Sequence, residues 1–388
     1  MKRILTFLIE SPLDKRNYIR FGIQYLDSRY VVQILDCTHY VYPKIPAKLN
    51  VMIDPGCRYT LISSSKELRN IDPVGIGGIV IDMLGETISG NNVRRHLLQN
   101  GGLRVLVLAG RLHFTPSLFL ERLKKLITKA WRPTSIQSFL KQAVRTLDKK
   151  LAPVRPIDLL VLGGAADINA IRSTSIVYAH SFDYDRWQTL PQSNLVHQGK
   201  FALFLDEDMV SHPDYVRLRL QPAATEASYY SAINHFFNEY QQYTGIPVYV
   251  AMHPHSQYLK QSNLWGDRKL FYAQTPEAIK GASQIFLHFS TAISFAILDN
   301  KPITHLISDE IMKSFMGRQI VGLSQFLNTP ILNIDHPLTK KDALCLTQID
   351  MARYRAYKNM YIKSEDSEKA PLWEIIANAV DQKMADTT

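Results

Sequence analysis

Three short polar segments carry the residues best suited to chemistry in this chain. Asp206, Glu207 and Asp208 stand together in LDEDM. His253, Pro254, His255 and Ser256 follow one another in MHPHS, and His288, Ser290 and Thr291 lie in HFSTA. A carboxylate can take a proton from an attacking hydroxyl, or can itself attack a carbon. A histidine can donate a hydrogen bond or a proton to a departing phosphate. Hydroxyls at the start of a helix, with the backbone N–H groups exposed there, can cradle that phosphate. The chemistry these types suggest is the handling of a phosphate and of a proton.

Each segment closes a short apolar run: FALFL at 201–205, PVYVA at 247–251 and IFL at 285–287. Runs of this length read as buried strands. Between them the pattern turns helical, with an amphipathic stretch from Tyr229 to Tyr243. A further helix opens at Thr275 as N-cap, with Pro276 and Glu277 in its first turn. The first half alternates in the same way. Strands are expected at 4–9, 30–36, 78–83, 104–108, 159–162 and 176–179, with weaker ones at 51–53 and 61–63. Helices are expected at 18–27, 115–131 and 134–151. This alternation predicts an α/β fold of mostly parallel sheets, with the ligand crevice beyond the carboxyl ends of the strands. At 388 residues two cores are expected. The boundaries read as 1–190, 191–340 and a helical tail, 341–388, packing back on the lobes; the turn-rich LPQSNLVHQGK serves as hinge.

In this order the three segments resemble the motifs of bacterial GT-B glycosyltransferases that use CMP-activated acidic sugars, the Kdo transferases and sialyltransferases. Those families carry an acidic motif after one strand, an HP motif after another, and a Ser/Thr motif opening a helix. The matching residues are Asp206-Glu207-Asp208, His253-Pro254 and Ser290-Thr291. The text FLHFSTAISFAILDNKPI also resembles the nucleotide-side helix of many GT-B enzymes. The resemblance is specific over 201–307, and over the first lobe only at the level of fold. It departs at Asp208, where sialyltransferases often have Gly.

The resemblance implies two Rossmann-like lobes with a cleft between them. It also implies a CMP-ulosonic acid donor, a glycan or lipid-linked glycan acceptor, and synthesis of bacterial surface polysaccharide. Asp206 is the first choice for the reacting carboxylate, with Glu207 and Asp208 in reserve. Inversion with a general base and retention through an Asp nucleophile both stay open. His253, with Pro254, His255, Ser256, Thr275, His288, Ser290 and Thr291, is expected on the nucleotide side. A UDP-sugar or CDP-polyol donor, or a glycan-binding protein without activity, is the alternative.

In the first lobe two segments could face the cleft: ESPLDKRNYIRFG, with Glu10, Ser11 and Arg16, and HSFDYD, with His180 and Asp183. GIGG at 75–78 lacks the spacing of a dinucleotide fingerprint, and there is no P-loop. His212-Pro213 reads as a loop. No zinc-like spacing is present, so neither a catalytic metal nor another cofactor is expected. Cys37, Cys57 and Cys345 lie far apart, which argues against a disulfide framework. No run reaches the ~20 apolar residues of a membrane helix.

The net charge of +10 favours anionic partners. Much of it is concentrated in Lys124, Lys125, Lys129, Arg132, Lys141, Arg145, Lys149 and Lys150. That stretch reads either as a solvated helix face or as a surface resting on anionic lipid. The expected location is cytoplasmic, peripheral on the inner membrane, with no nucleic-acid partner.

Overall fold

The computed structural model describes residues 2–43, 57–75, 77–99, 101–114, 154–166, 171–191, 199–218, 220–253 and 263–386. The basic stretch, the two helices expected at 115–151, the weak strand at 51–53, and Pro254, His255 and Ser256 lie outside these residues.

Thirteen strands form two sheets among the described residues, and every pairing is parallel. The first holds β1 (Ile4–Ile9), β2 (Val31–Asp36), β3 (Arg58–Leu61), β4 (Ile79–Asp82), β5 (Leu103–Leu108), β6 (Ile157–Leu162) and β7 (Ser173–Tyr178). The second holds β8 (Ala202–Leu205), β9 (Val248–Ala251), β10 (Leu270–Phe271), β11 (Gln284–Leu287), β12 (Ile303–Ile307) and β13 (Ile331–Asn333). Their orders are β3-β2-β1-β4-β5-β6-β7 and β10-β9-β8-β11-β12-β13. In both, the order reverses beside the first strand, between β1 and β4 and between β8 and β11. Such a switch point opens a crevice at the carboxyl edge.

The buried strands explain why the apolar runs were legible. All of β8, β11 and β12 is buried, as strands covered on both faces must be. The helix Glu226–Thr244 buries Tyr229, Ile233, Phe236, Phe237 and Tyr240 along one stripe. Phe236 and Tyr240 meet Phe286 of β11 edge-on, with centroids 5.6 and 5.0 Å apart. Each such ring contributes roughly 1.5–3 kcal/mol of burial. The helix stops at Gly245, whose φ of 70° is left-handed.

Where a helix was expected at 18–27 there are two, Lys15–Arg20 and Ile23–Arg29. Gly22 separates them with φ 58°, and a Cβ there would lie 2.2 Å from Trp373 Cδ1. The break therefore needs glycine for its conformation and for its space. The helix at 275 starts one residue earlier than expected: Gln274 is the N-cap, and Thr275 is the first helical residue.

The tail serves both lobes. Tyr354, Tyr357 and Ile362 pack against the second sheet's core, and the π-helix Lys358–Ile362 accepts hydrogen bonds from Ala165 N and Ala166 N of the first lobe. The helix Leu372–Ala385 then buries Leu372, Trp373, Ile376 and Val380 in one cluster with Leu5, Phe7 and Ile9. Side-chain links among the described residues also join the lobes, His113 stacking on Phe326 with centroids 4.6 Å apart. Trp187 Nε1 donates to Asp299 Oδ1 at 2.8 Å, and Arg186 pairs with Glu277.

Candidate active site

A cavity of about 1160 Å³ lies between the lobes at the carboxyl edge of both sheets. Asp206, Glu207, His253, Thr275, Ser290 and Thr291 line it from the second lobe, and Arg16 and Asp183 from the first. These are the sequence-derived site residues that the fold brings together. Asp208, His288, Glu10, Ser11 and His180 are not among the residues that line it.

The acidic motif leaves β8, the strand at the switch point. Asp206 Oδ1 accepts from Asp208 N at 3.0 Å, and the carboxylate takes further backbone hydrogen bonds from Glu207 and from His253 beyond β9. Glu207 reaches the other way, its Oε2 accepting from His288 N beyond β11 at 3.1 Å. Burial pushes Asp206 up to about 7, with the hydrogen bond from Asp208 N opposing and the Asp208 charge adding to it. Burial, then the charge of Asp206, holds Glu207 well above the usual carboxylate range. The Phe289 backbone also donates to the Glu207 carboxyl, and among the described residues Oε1 has no partner within hydrogen-bond distance. The site thus offers a proton acceptor poised near neutrality beside a second carboxyl whose affinity for a proton burial has raised.

Asp208 turns away. Its Oδ1 accepts from Ser211 N at 2.9 Å and from Ser211 Oγ at 2.8 Å, and it is fully buried. Its φ is 49°, in the left-handed region that favours glycine. The departure from the resembled families therefore falls on a position with a backbone requirement. An aspartate can sit there because its short side chain bonds locally.

His288 is also structural. Its Nδ1 bonds Leu306 O and its Nε2 bonds Tyr229 Oη, each at 2.8 Å. Burial lowers it to about 4, so the ring is neutral. His180 Nε2 bonds Ala370 O at 3.0 Å and tethers the tail. Glu10 accepts from Gly85 N at 2.8 Å and Tyr42 Oη at 3.0 Å, joining the end of β1 to segments beyond β4 and β2. It does in the first lobe what Glu207 does in the second.

The helix after HFST is short, Ile293–Leu298. Its leading N–H groups are engaged inside the turn. Ala292 N donates to Ser290 Oγ, and the N–H groups of Ile293, Ser294 and Phe295 donate to the carbonyls of Ser290, Thr291 and Ala292. The backbone cradle expected at this helix is therefore not offered by those groups, which leaves the Ser290 and Thr291 hydroxyls at the cleft wall.

Two features escaped the sequence reading. His212 lines the cleft, its Nε2 3.3 Å from His253 Nε2. The signal available was a second His-Pro pair just after the acidic motif. The other is Arg20, whose guanidinium carbon lies 4.4 Å over the Phe182 ring. Burial lowers its pKa, with the Asp183 charge opposing. Arg20 sits one helical turn beyond Arg16. All the lysines and arginines among the described lining residues, Lys15, Arg16, Arg20 and Arg186, come from the first lobe. Among the described residues no group of three or more His, Cys, Asp or Glu could hold a metal, and no helix is long and apolar enough to cross a membrane.

No protein-family model matches the chain, and no curated protein matches it. Solved structures do match, over nearly the whole length. The calicheamicin glycosyltransferase CalG4 aligns at TM-score 0.52 and 10% identity, covering 100% of both chains. The fold is of the GT-B glycosyltransferase type. A variant of Os79 from O. sativa, in complex with UDP, aligns at 0.53 and 12%, covering 97% of this chain and 100% of that one. The wall teichoic acid polymerase TagF, soaked with CDPG, aligns at 0.50 and 8%, covering 99% and 89%. At these identities the likeness speaks to the fold.

Proposed function

We propose that this protein is a glycosyltransferase that moves an ulosonic acid, Kdo or a sialic-acid-like sugar, from its CMP donor to a glycan hydroxyl in bacterial surface polysaccharide, O-antigen or capsule. The observation that carries the reading is the convergence at one interlobe cleft. Asp206 and Glu207, the His212–His253 pair, and Ser290 with Thr291 meet there at the switch point of the second sheet. His253 meets the departing phosphate with the Ser290 and Thr291 hydroxyls beside it. Asp206, poised near neutrality, either takes the acceptor proton or attacks the anomeric carbon.

The distribution of charge supports a CMP-ulosonic acid. Such a donor carries one negative charge on its phosphodiester and a second on the sugar carboxylate. The cationic side chains of the described cleft all stand on the first-lobe wall, where they can meet the sugar. A UDP-sugar places both charges on the nucleotide, where the described second-lobe wall offers histidines and hydroxyls and no lysine or arginine. The ligands of two fold neighbours, UDP and CDPG, keep a UDP-sugar or CDP-polyol donor as the second reading. We take transfer to be independent of metal and of any further cofactor. The acceptor is a glycan or lipid-linked glycan, and the expected setting is the cytoplasmic face of the inner membrane.

Calorimetric titration with CMP, UDP and CDP tests the donor, followed by hydrolysis and transfer assays with the matching activated sugar. Preferential binding of CMP and turnover of a CMP-ulosonic acid are expected. Preference for UDP or CDP moves the protein to the second reading, and no binding of any nucleotide removes the assignment.

A further inference from the structure

His212 and His253 come from loops 41 residues apart, yet their Nε2 atoms lie 3.3 Å apart and their ring centroids 4.5 Å apart. Two neutral imidazoles hold such a contact only when one nitrogen carries the hydrogen and the other the lone pair. The far nitrogen of His212 decides which. The backbone N–H of Asp214 donates to His212 Nδ1 at 3.1 Å, so that nitrogen presents its lone pair. In the neutral ring the hydrogen is then on Nε2, which donates to His253 Nε2. His253, accepting through Nε2, keeps its own hydrogen on Nδ1.

The neighbours reinforce this arrangement. A proton added at His212 Nδ1 would face the Asp214 N–H directly. The Asp214 carboxylate lies 3.8 Å from Nδ1, beyond hydrogen-bond reach. Tyr215 packs edge-on against His212 with centroids 6.2 Å apart, and its hydroxyl is anchored on Met209 O at 3.1 Å. On the other side, the His253 backbone is held by the Asp206 carboxylate.

We propose that His212 is a positioning residue: it fixes His253 as the Nδ1–H tautomer, so that His253 meets the donor phosphate as a neutral N–H donor. The inference rests on the nucleotide-donor reading of the cleft. A neutral donor of fixed orientation needs no prior protonation, and its hydrogen bond strengthens as negative charge builds on the departing phosphate. Losing His212 would let the His253 ring sample both tautomers.

The test uses the full chain labelled with nitrogen-15 histidine, and two variants. His212→Phe keeps a flat ring without the donor, whereas His212→Gln keeps an amide N–H near the Nε2 position. His253→Gln assigns the His253 signals. Nitrogen shifts are read without ligand, and CMP affinity is read by calorimetry. In the wild type, His253 is expected to be protonated on Nδ1 and unprotonated on Nε2. In His212→Phe, the His253 shifts should move toward a tautomer mixture, and the CMP dissociation constant should rise about tenfold, the scale of one misplaced hydrogen bond. His212→Gln should restore affinity to within about threefold of the wild type.

A wild-type His253 protonated on Nε2 overturns the proposal, even if neither variant folds. So does a folded His212→Phe protein with unchanged tautomer and affinity. A wild type with the expected tautomer that binds none of CMP, UDP and CDP overturns the donor reading instead, and with it the phosphate role given to the pair.

Discussion

Asp206 and Glu207 are adjacent in the chain, yet their carboxylates reach to opposite sides of β8. Asp206 takes a hydrogen bond from the backbone of His253 beyond β9, and Glu207 takes one from His288 N beyond β11. The pair therefore ties both neighbouring strand ends to the central strand. Asp206→Ala should cost about 2–4 kcal/mol in denaturant unfolding at neutral pH, since several buried N–H groups lose an acceptor. Asp206→Asn should cost less, because one oxygen remains. In turnover, Asp206→Asn should lose about 100-fold or more with CMP binding retained. Near-normal turnover would leave Asp206 as a structural tie only. Intact-mass measurement after incubation with donor alone adds the stereochemical answer: a gain of one sugar marks a covalent intermediate.

The same carboxylate links activity and stability to pH with opposite signs. Activity that needs ionised Asp206 should rise with pH through about 7. Its stability term runs the other way. The folded pKa is raised above the ordinary 3.8, so the contribution is fully present below about 4 and is lost as pH climbs through 7. His288 and His305, lowered by burial to about 4 and about 3, contribute stability that is lost as pH falls below their ordinary 6.5. Between about pH 4 and 6.5 the two effects oppose one another. Asp206→Asn removes one of them. Its stability should therefore rise with pH more steeply than that of the wild type, by up to about 1.4 kcal/mol per unit. Parallel curves for the two proteins would contradict the raised carboxyl.

Arg20 and Arg16 belong to the proposed sugar-carboxylate side of the cleft. Arg20→Lys should not rescue Arg20→Ala, because a lysine lacks the guanidinium that lies over the Phe182 ring and the fork that holds a carboxylate. Both should raise KM for an anionic donor sugar roughly tenfold or more, with CMP affinity little changed. A loss of CMP affinity of the same size would move the arginines to the nucleotide side.

Transfer should proceed undiminished in excess EDTA, since His253 and the first-lobe cations are assigned the donor's charges. Activity abolished by the chelator and restored by magnesium or manganese would reverse the metal-free reading.

What the sequence disclosed followed the physics of burial. FALFL, PVYVA and IFL stood out because strands covered on both faces must be apolar throughout. Their polar exits could be named because a parallel sheet sets them on one edge. The His212–His253 contact was hidden, since it depends on β9 lying beside β8 and on the course of the loop after Asp208. His288 looked like a nucleotide ligand because a strand-end histidine reads alike whether it faces a cleft or, as here, a buried tyrosine and a carbonyl of the next strand. The left-handed turn at Asp208 was likewise invisible in an acidic run, where side-chain chemistry is the natural reading.

The helix Leu372–Ala385 closes the core of the lobe that begins at β1. During synthesis the strands of that lobe are therefore made well before the helix that closes their core. Until Trp373, Ile376 and Val380 arrive, the surface around Phe7 and Ile9 stays uncovered while the entire second lobe leaves the ribosome. An apolar face left open over that interval is the kind of surface that aggregates or that chaperones bind. A stop codon between Lys363 and Pro371 would leave all six strands of the second sheet in place, yet strip the first lobe's core of its cover.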